Sequence, residues 1–244
     1  MPGQVFWAFS WHIPLRVAER IDEHAVGRAY EDWFTTGLRG VGMRYVFSRR
    51  GLWLLNTPYR RILEAARITS EDRVLDFGCG IGNILIALAE RMPFAQPLIG
   101  TDIAPALVAM GTREVARAGL TGRIELQVAP ATRLPFADGR FDVVLTSHVI
   151  KHLDDVALSA AFSEVARVAA PGGRFLLWEF QKSRLSAPLF WSAAVSGLPP
   201  AFRLRSSGEL GRALTAAGFH RVTRVPTGAF LMPPVPRLAL LAER

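Results

Sequence analysis

The segment Val74-Leu75-Asp76-Phe77-Gly78-Cys79-Gly80-Ile81-Gly82-Asn83 constrains the fold more than any other part of the chain. A short apolar run containing one acid passes into three glycines at alternate positions. The periodicity then changes, with Ile84, Leu85, Ala87 and Leu88 apolar at helical spacing up to Arg91. The pattern reads as a buried strand, a tight turn and the start of a helix. Glycine reaches φ values closed to other residues and lets the backbone come close to a ligand. Amides opening a helix can meet a polar or anionic group. In open α/β sheets, ligands gather at the carboxyl ends of strands, where the strand order switches. The turn is therefore the expected cofactor site. A second acid, Asp102, ends the next apolar run 24 residues beyond Gly78. A carboxylate there can accept hydrogen bonds from both hydroxyls of a ribose.

The same rhythm continues down the chain. Strands are expected at residues 97–101, 123–128, 141–146 and 174–180, the last following the turn Pro171-Gly172-Gly173. Helices are expected at 105–118, with proline near its start, and at 156–168. Alternation at this spacing implies right-handed crossovers and a parallel, doubly wound α/β sheet. Residues 207–217 read as a helix closed by Gly218, and 219–225 and 237–242 as a final strand pair. Their connection is too short for a helix, so the pair is expected to be antiparallel. Residues 1–56 break the rhythm. Ala18, Ile21, Ala25, Ala29 and Trp33 recur at helical spacing, which predicts a helix laying an apolar stripe on the core. Residues 1–56 are thus read as a helical cap, not an independent domain, over a single domain spanning 57–244. A chain of 244 residues, half of them hydrophobic, suffices for one such core.

Strand, acid, glycine turn, helix and second strand-end acid, in that order, make this chain resemble motif I of the class I S-adenosyl-L-methionine-dependent methyltransferases. Three further segments are similar to that family. Leu134-Pro135-Phe136-Ala137-Asp138-Gly139-Arg140-Phe141-Asp142-Val143-Val144 resembles its approach to and entry into the fourth strand. Pro171-Gly172-Gly173-Arg174-Phe175 resembles its turn into the fifth, and Ala216-Ala217-Gly218-Phe219 its late helix-to-strand corner. The nearest group holds the ubiquinone/menaquinone- and sterol-type small-molecule enzymes. The resemblance implies a Rossmann-like, mostly parallel seven-stranded sheet with an antiparallel last strand, and S-adenosyl-L-methionine as cofactor. It implies that Asp76, Phe77, Gly78, Cys79, Gly80 and Gly82 surround the methionine part and that Asp102 takes the ribose. Ile103 packs on the adenine, Ala131 and Thr132 lie at its edge, and Ser147 sits at the mouth of the site. Tyr30, in Ala29-Tyr30-Glu31-Asp32-Trp33, resembles a cap element that closes over the cofactor; a tyrosine in the core of the cap is the equal alternative. Cys79 reads as a small filler of the turn rather than a nucleophile. One departure matters. The family often carries an acid just before the alanine at 131, where it accepts from the adenine amino group, and here Pro130 stands instead. Proline can neither donate from its backbone nor accept through its side chain. Losing one such bond costs about 1 kcal/mol.

The implied reaction is an in-line displacement at a sulfonium methyl, where alignment alone can supply roughly 7–11 kcal/mol. No fixed triad is demanded. Where the acceptor must lose a proton, His148 and His152 are the candidate bases. They lie four residues apart just after the fourth strand, and share a face if a helix begins there. Polar lining is the alternative for both. His12, His24, His148, His152 and His220 lack ligand spacing, so no metal is expected.

The apolar stretch 185–202, with Phe190, Trp191 and Phe202, and the N-terminal aromatics Phe6, Trp7, Phe9 and Trp11 suggest a small lipophilic acceptor of quinone, lipid or natural-product type. The alternative is ordinary lid and cap core. Pro188, Gly197, Pro199 and Pro200 break 185–202 too often for a membrane span. Peripheral contact with the inner membrane face stays open. The net charge of +8 is almost wholly arginine, since Lys151 and Lys182 are the only lysines. The arginines are scattered rather than clustered, so nucleic acid is not the expected partner. Cys79 is the only cysteine and no secretory signal precedes it, which suits a reducing cytoplasm. The sequence carries no signal of oligomeric state. Three rival readings stand beside the main one. A nicotinamide dehydrogenase wants a glycine where Asn83 stands. A nucleic-acid methyltransferase is suggested only by Asn56-Thr57-Pro58-Tyr59, which does not follow the fourth strand. The third is a non-catalytic module that binds the same cofactor.

Overall fold

The computed structural model describes residues 22–46, 61–182, 203–226 and 237–244. The strands are β1 Val74–Phe77, β2 Leu98–Asp102, β3 Ile124–Val128, β4 Phe141–Ser147, β5 Ala169–Phe180, β6 His220–Val225 and β7 Arg237–Glu243. They form one seven-stranded sheet in the order β3-β2-β1-β4-β5-β7-β6. β1 to β5 pair in parallel, and β7 runs antiparallel to both β5 and β6. This is the doubly wound sheet expected from the sequence, antiparallel last strand included. The helices are α1 Glu23–Thr35, α2 Gly37–Val46, α3 Ile62–Ala65, α4 Asn83–Arg91, α5 Pro105–Arg117, α6 Asp155–Val168 and α7 Ser207–Ala216.

Parallel strands covered on both faces need apolar residues in succession, and β1 is buried at every position. Successive side chains then feed opposite cores. Leu75 and Phe77 join Val144, Phe175, Leu177 and Leu240 on one face. Val74 joins Val143, Leu145, Leu176 and Leu241 on the other. On the first face Phe77 stacks on Phe175 with ring centroids 6.0 Å apart, and Phe162 meets Phe175 edge-on at 5.8 Å. From β1 the chain builds outward to β2 and β3, then crosses back to β4 on the other side of β1. The strand order therefore reverses at β1, and the carboxyl ends of β1 and β4 flank the crevice where such sheets bind ligands.

Two expectations need correction. β5 begins at Ala169, five residues before the expected start. Phe141 pairs with Ala169 and Val143 with Arg174, so Pro171-Gly172-Gly173 buckles out of a strand that has already formed. The inward face of α1 also differs. Ala25 is exposed, whereas Gly27 is buried and Phe34 packs with Ile81, Ala104 and Leu107 beside Tyr30. The small alanines gave too weak an apolar signal, and the contact partner sets the face: a Cβ on Gly27 would lie 3.1 Å from Ile103 Cγ2. Ala18, Ile21, the side chain of Trp33, the N-terminal aromatics, the stretch 185–202, Asn56-Thr57-Pro58-Tyr59 and the expected boundary at 56/57 lie outside what is described.

Candidate active site

The turn after β1 is shaped by backbone geometry that only glycine meets cheaply. Gly78 has φ +69°, and a Cβ there would fall 2.1 Å from Val149 Cγ2, inside van der Waals contact. Gly82, at φ +75°, opens α4 without a side-chain cap. Cys79 N–H donates to Thr101 O at 2.9 Å, and Gly82 N–H to Cys79 O at 2.9 Å. The Cys79 sulfur points at Gly100, whose own Cβ would sit 2.8 Å from it. The thiol thus fills a gap over β2, and burial pushes its pKa well up, as suits a filler.

The two expected acids converge on this turn. Asp102 ends β2 and accepts from Gly80 N–H at 2.8 Å and Ala104 N–H at 2.9 Å. It braces the turn, and a carboxylate with about four acceptor sites retains capacity for a diol. Burial raises its pKa, although those amides pull the other way. Asp76 is 1% exposed, and neither of its oxygens has a hydrogen-bond partner among the described residues. Burial, and then the Asp102 charge, hold its pKa well above the ordinary carboxylate range. A buried carboxylate without partners is costly; a cationic ligand in the crevice removes that cost.

On the β2 side, Ile103 lies under Gly27 of α1. Ala129 N–H donates to Asp102 O at 3.0 Å, so the chain after β3 stays beside Asp102. Ala131 and Thr132 follow, both half-buried. Leu134 N–H donates to Glu164 Oε2 at 2.7 Å, and Arg167 binds the Leu134 carbonyl, which holds this loop against α6. Pro130 offers the loop only its carbonyl, which accepts from Arg133 N–H at 3.2 Å.

Helix α1 closes the crevice from above. Glu31 Oε1 accepts from Ala106 N–H at 2.8 Å, supplying the cap that Ala104 cannot give α5. The neighbouring Tyr30 hydroxyl shares a 2.7 Å hydrogen bond with His152 Nε2, the rings meeting edge-on. Burial raises the Tyr30 pKa most, then the charges of Glu179 and Asp102.

At the carboxyl end of β4, the Ser147 hydroxyl is buried without a partner among the described residues. His148 stands at φ +60°, an uncommon conformation for a non-glycine residue and a sign of a position fixed by its surroundings. Its N–H donates to Trp178 O at 2.8 Å, and its carbonyl accepts from the Lys151 ammonium. Its Nδ1 lies 3.3 Å from Glu179 Oε1, and its ring centroid is 4.4 Å from that of Phe180. The chain continues as a 3₁₀ turn, Ile150–His152, not as a helix starting at 148. The condition for His148 and His152 to share a face is therefore not met, and His152 turns to Tyr30 instead.

The pattern around His148 shows a cluster that the sequence did not announce. Glu179 is 1% exposed and Lys151 3%, with Lys151 Nζ 3.7 Å from Glu179 Oε1. Arg237 Nη1 lies 3.5 Å from His148 Nε2, and its guanidinium carbon is 4.8 Å from the Phe180 ring centroid. Burial pushes the Glu179 pKa up, but Lys151 and His148 outweigh it and bring it down to about 2. Burial lowers Lys151 to about 8. Burial also lowers His148, with Arg237 adding to the effect against the pull of Glu179, to about 4. A carboxylate only accepts, so Nδ1 carries the proton of neutral His148, and its Nε2 lone pair faces Arg237. Available hints were that Lys151 is one of two lysines and that Glu179 interrupts the run Phe175-Leu176-Leu177-Trp178.

Sheet order, glycine turn and paired strand-end acids define the Rossmann-like methyltransferase architecture. A structure from Aquifex aeolicus, described as a SAM-dependent methyltransferase, superposes with TM-score 0.61 at 21% identity, over 82% of this chain and 92% of that one. The family model "Methyltransferase domain" matches residues 74–173. A ubiquinone/menaquinone biosynthesis C-methyltransferase of Geotalea daltonii is 31% identical over 65% of this chain and 66% of its own length. A sterol 4-C-methyltransferase of Caenorhabditis elegans is 30% identical over 53% of this chain and 37% of its own. The matches thus span at most about two thirds of these relatives. The chain belongs to the class I S-adenosyl-L-methionine-dependent methyltransferases.

Proposed function

We propose that this chain moves a methyl group from S-adenosyl-L-methionine to a small lipophilic acceptor of quinone, lipid or natural-product type. The observation that carries the reading is the buried Asp76 carboxylate, without a hydrogen-bond partner among the described residues, beside Asp102 at the switch point. That pair suits a ligand with a cationic amino-acid tail and a ribose diol. Gly78, Gly80 and Gly82 let the backbone approach the tail, Asp76 faces its charge, and Asp102 takes the diol. Phe77 and Cys79 fix the turn from behind. Ile103, Ala131 and Thr132 are the adenine contacts in this reading, without help from a side chain at 130. When bound, the cofactor would supply a methyl activated by positive sulfur, open to in-line displacement by the acceptor.

The chain's own contribution is alignment and exclusion of water. Tyr30 and Glu31 hold α1 across the crevice, and Ser147 and His148 face it from β4. The names of the quinone and sterol relatives support a lipophilic acceptor. Among the described residues no helix is long and apolar enough to cross a membrane, and peripheral membrane contact is part of the proposal. His148, held in its neutral form, and His152, bonded to Tyr30, are the proposed bases for an acceptor that must lose a proton. Calorimetric titration with S-adenosylhomocysteine tests the cofactor half. Binding that Asp102→Ala weakens at least tenfold is expected, and no binding to the wild-type protein overturns the reading. With an acceptor found in extracts using labelled cofactor, His148→Ala should lower turnover far more than cofactor affinity.

A further inference from the structure

Among the described residues, the large hydrophobic side chains left exposed are Val41, Tyr45, Val128 and Val156. Two of them stand among acids: Val128 on the edge strand β3, which also carries Glu125, and Val156 directly after Asp154 and Asp155. Val41 and Tyr45 differ. They lie four residues apart on α2, hence on one face, with 54% and 57% of their surface open. The opposite face of α2 is fixed to α1. Gly40 is buried, and a Cβ there would fall 2.8 Å from the Phe34 carbonyl oxygen, so glycine is what lets the two helices come this close. Arg44, one turn on, donates to that same carbonyl. Packing on α1 thus turns Val41 and Tyr45 outward.

Charge sets this face further apart. Arginines are spread along the whole chain, but acids are not. None occurs between Asp32 and Glu64, whereas Arg39, Arg44, Arg49, Arg50, Arg60 and Arg61 do. Six arginines and no acid give that stretch +6 of the chain's net +8. An exposed apolar pair on a helix within such a stretch fits the interface of an anionic bilayer. The apolar side chains enter below the headgroups while the cations stay with the phosphates. Tyrosine suits that depth, with an apolar ring and a polar tip. A nucleic acid would use the cations and leave the apolar pair in water. The place fits too, because α2 follows α1 through Thr36, and α1 is the helix that Glu31 and Tyr30 fasten over the crevice.

We propose that the outer face of α2, centred on Val41 and Tyr45, docks the chain on an anionic lipid surface. The inference rests on the lipophilic-acceptor reading and names the surface and the lipid class that serve it. Docking by α2 sets the cap against the headgroups, so an acceptor dissolved in the bilayer enters at the rim of α1 instead of crossing bulk water. Two apolar side chains alone hold weakly, so the attachment is reversible and depends on charge and therefore on salt.

The test is co-sedimentation of the full chain with vesicles of phosphatidylcholine, alone or mixed in equal parts with phosphatidylglycerol. Binding to the mixed vesicles should exceed binding to the neutral ones by about tenfold or more. It should be lost at about 1 M salt, where charges are screened beyond about 3 Å. Val41→Glu should weaken it about tenfold, whereas Val156→Glu, with the same change in net charge, should leave it intact. Tyr45→Ser leaves the charge untouched and should weaken it about threefold. A chain that ignores the mixed vesicles, binds both kinds equally, or keeps full binding in the Val41→Glu and Tyr45→Ser variants overturns the surface. Tighter binding to single-stranded RNA than to the mixed vesicles overturns it in favour of a nucleic-acid partner. Calorimetric titration with S-adenosylhomocysteine, expected unchanged in all three variants, decides the cofactor reading by its own signal: a wild-type chain that binds it but no vesicle keeps that reading and loses the surface.

Discussion

At Asp76, a residue of the proposed site, binding is expected to trade against stability. Its carboxylate is buried with no described partner, so it costs the ligand-free protein and favours a cationic ligand. Asp76→Asn should therefore weaken S-adenosylhomocysteine binding by roughly tenfold, the worth of a charged hydrogen bond. The melting temperature of the ligand-free variant should hold or rise; scanning calorimetry beside titration checks both. Pro130 predicts the reverse. Pro130→Asp restores an acceptor for the adenine amino group and should tighten binding about fivefold, equivalent to about 1 kcal/mol. Both residues are legible in the sequence because the glycine turn fixes the frame in which they are read. Lys151, Glu179 and Arg237 are not, since they come from a 3₁₀ turn, β5 and the start of β7 and meet only in the folded chain.

Among the elements, the strands were readable wherever burial on both faces forced continuous apolar residues, as in β1 and β4. The start of β5 was hidden because Pro171-Gly172-Gly173 signals a turn that the strand accommodates as a buckle. Helix α1 was readable as a helix, with Asp22 at its N-cap accepting from His24 N–H at 2.9 Å. Its inward face was not, because it depends on Ile103 and Ala106, some 75 residues away in the chain. The bond from Ala106 N–H to Glu31 makes a testable claim: a cap supplied from another element should behave as an ordinary cap does. Glu31→Ala should cost about 1 kcal/mol in thermal unfolding, while mutation of Ala104 to Ser should recover part of it.

For the molecule as a whole, the buried cluster ties stability to pH. His148 has its pKa lowered from 6.5 to about 4, so between these values the unfolded chain binds the proton and the folded chain does not. Stability contributed there is present above pH 6.5 and lost as pH falls towards 4. Glu179, lowered from 4.5 to about 2, continues the loss below pH 4.5. Asp76, raised, works in the opposite sense: its contribution is present in acid and lost as pH climbs through its folded value. Denaturant titrations from pH 7 to 4 should thus show His148→Gln with a shallower acid decline than the wild-type protein, by up to about 1.4 kcal/mol per pH unit. Equal slopes would remove His148 from this account. Finally, consecutive side chains on α1 fasten it to opposite banks of the crevice, Glu31 to α5 beside β2 and Tyr30 to the 3₁₀ turn beyond β4. In the proposed arrangement a spent nucleoside leaves beneath that helix, and breaking both polar bonds is expected to accompany its exchange.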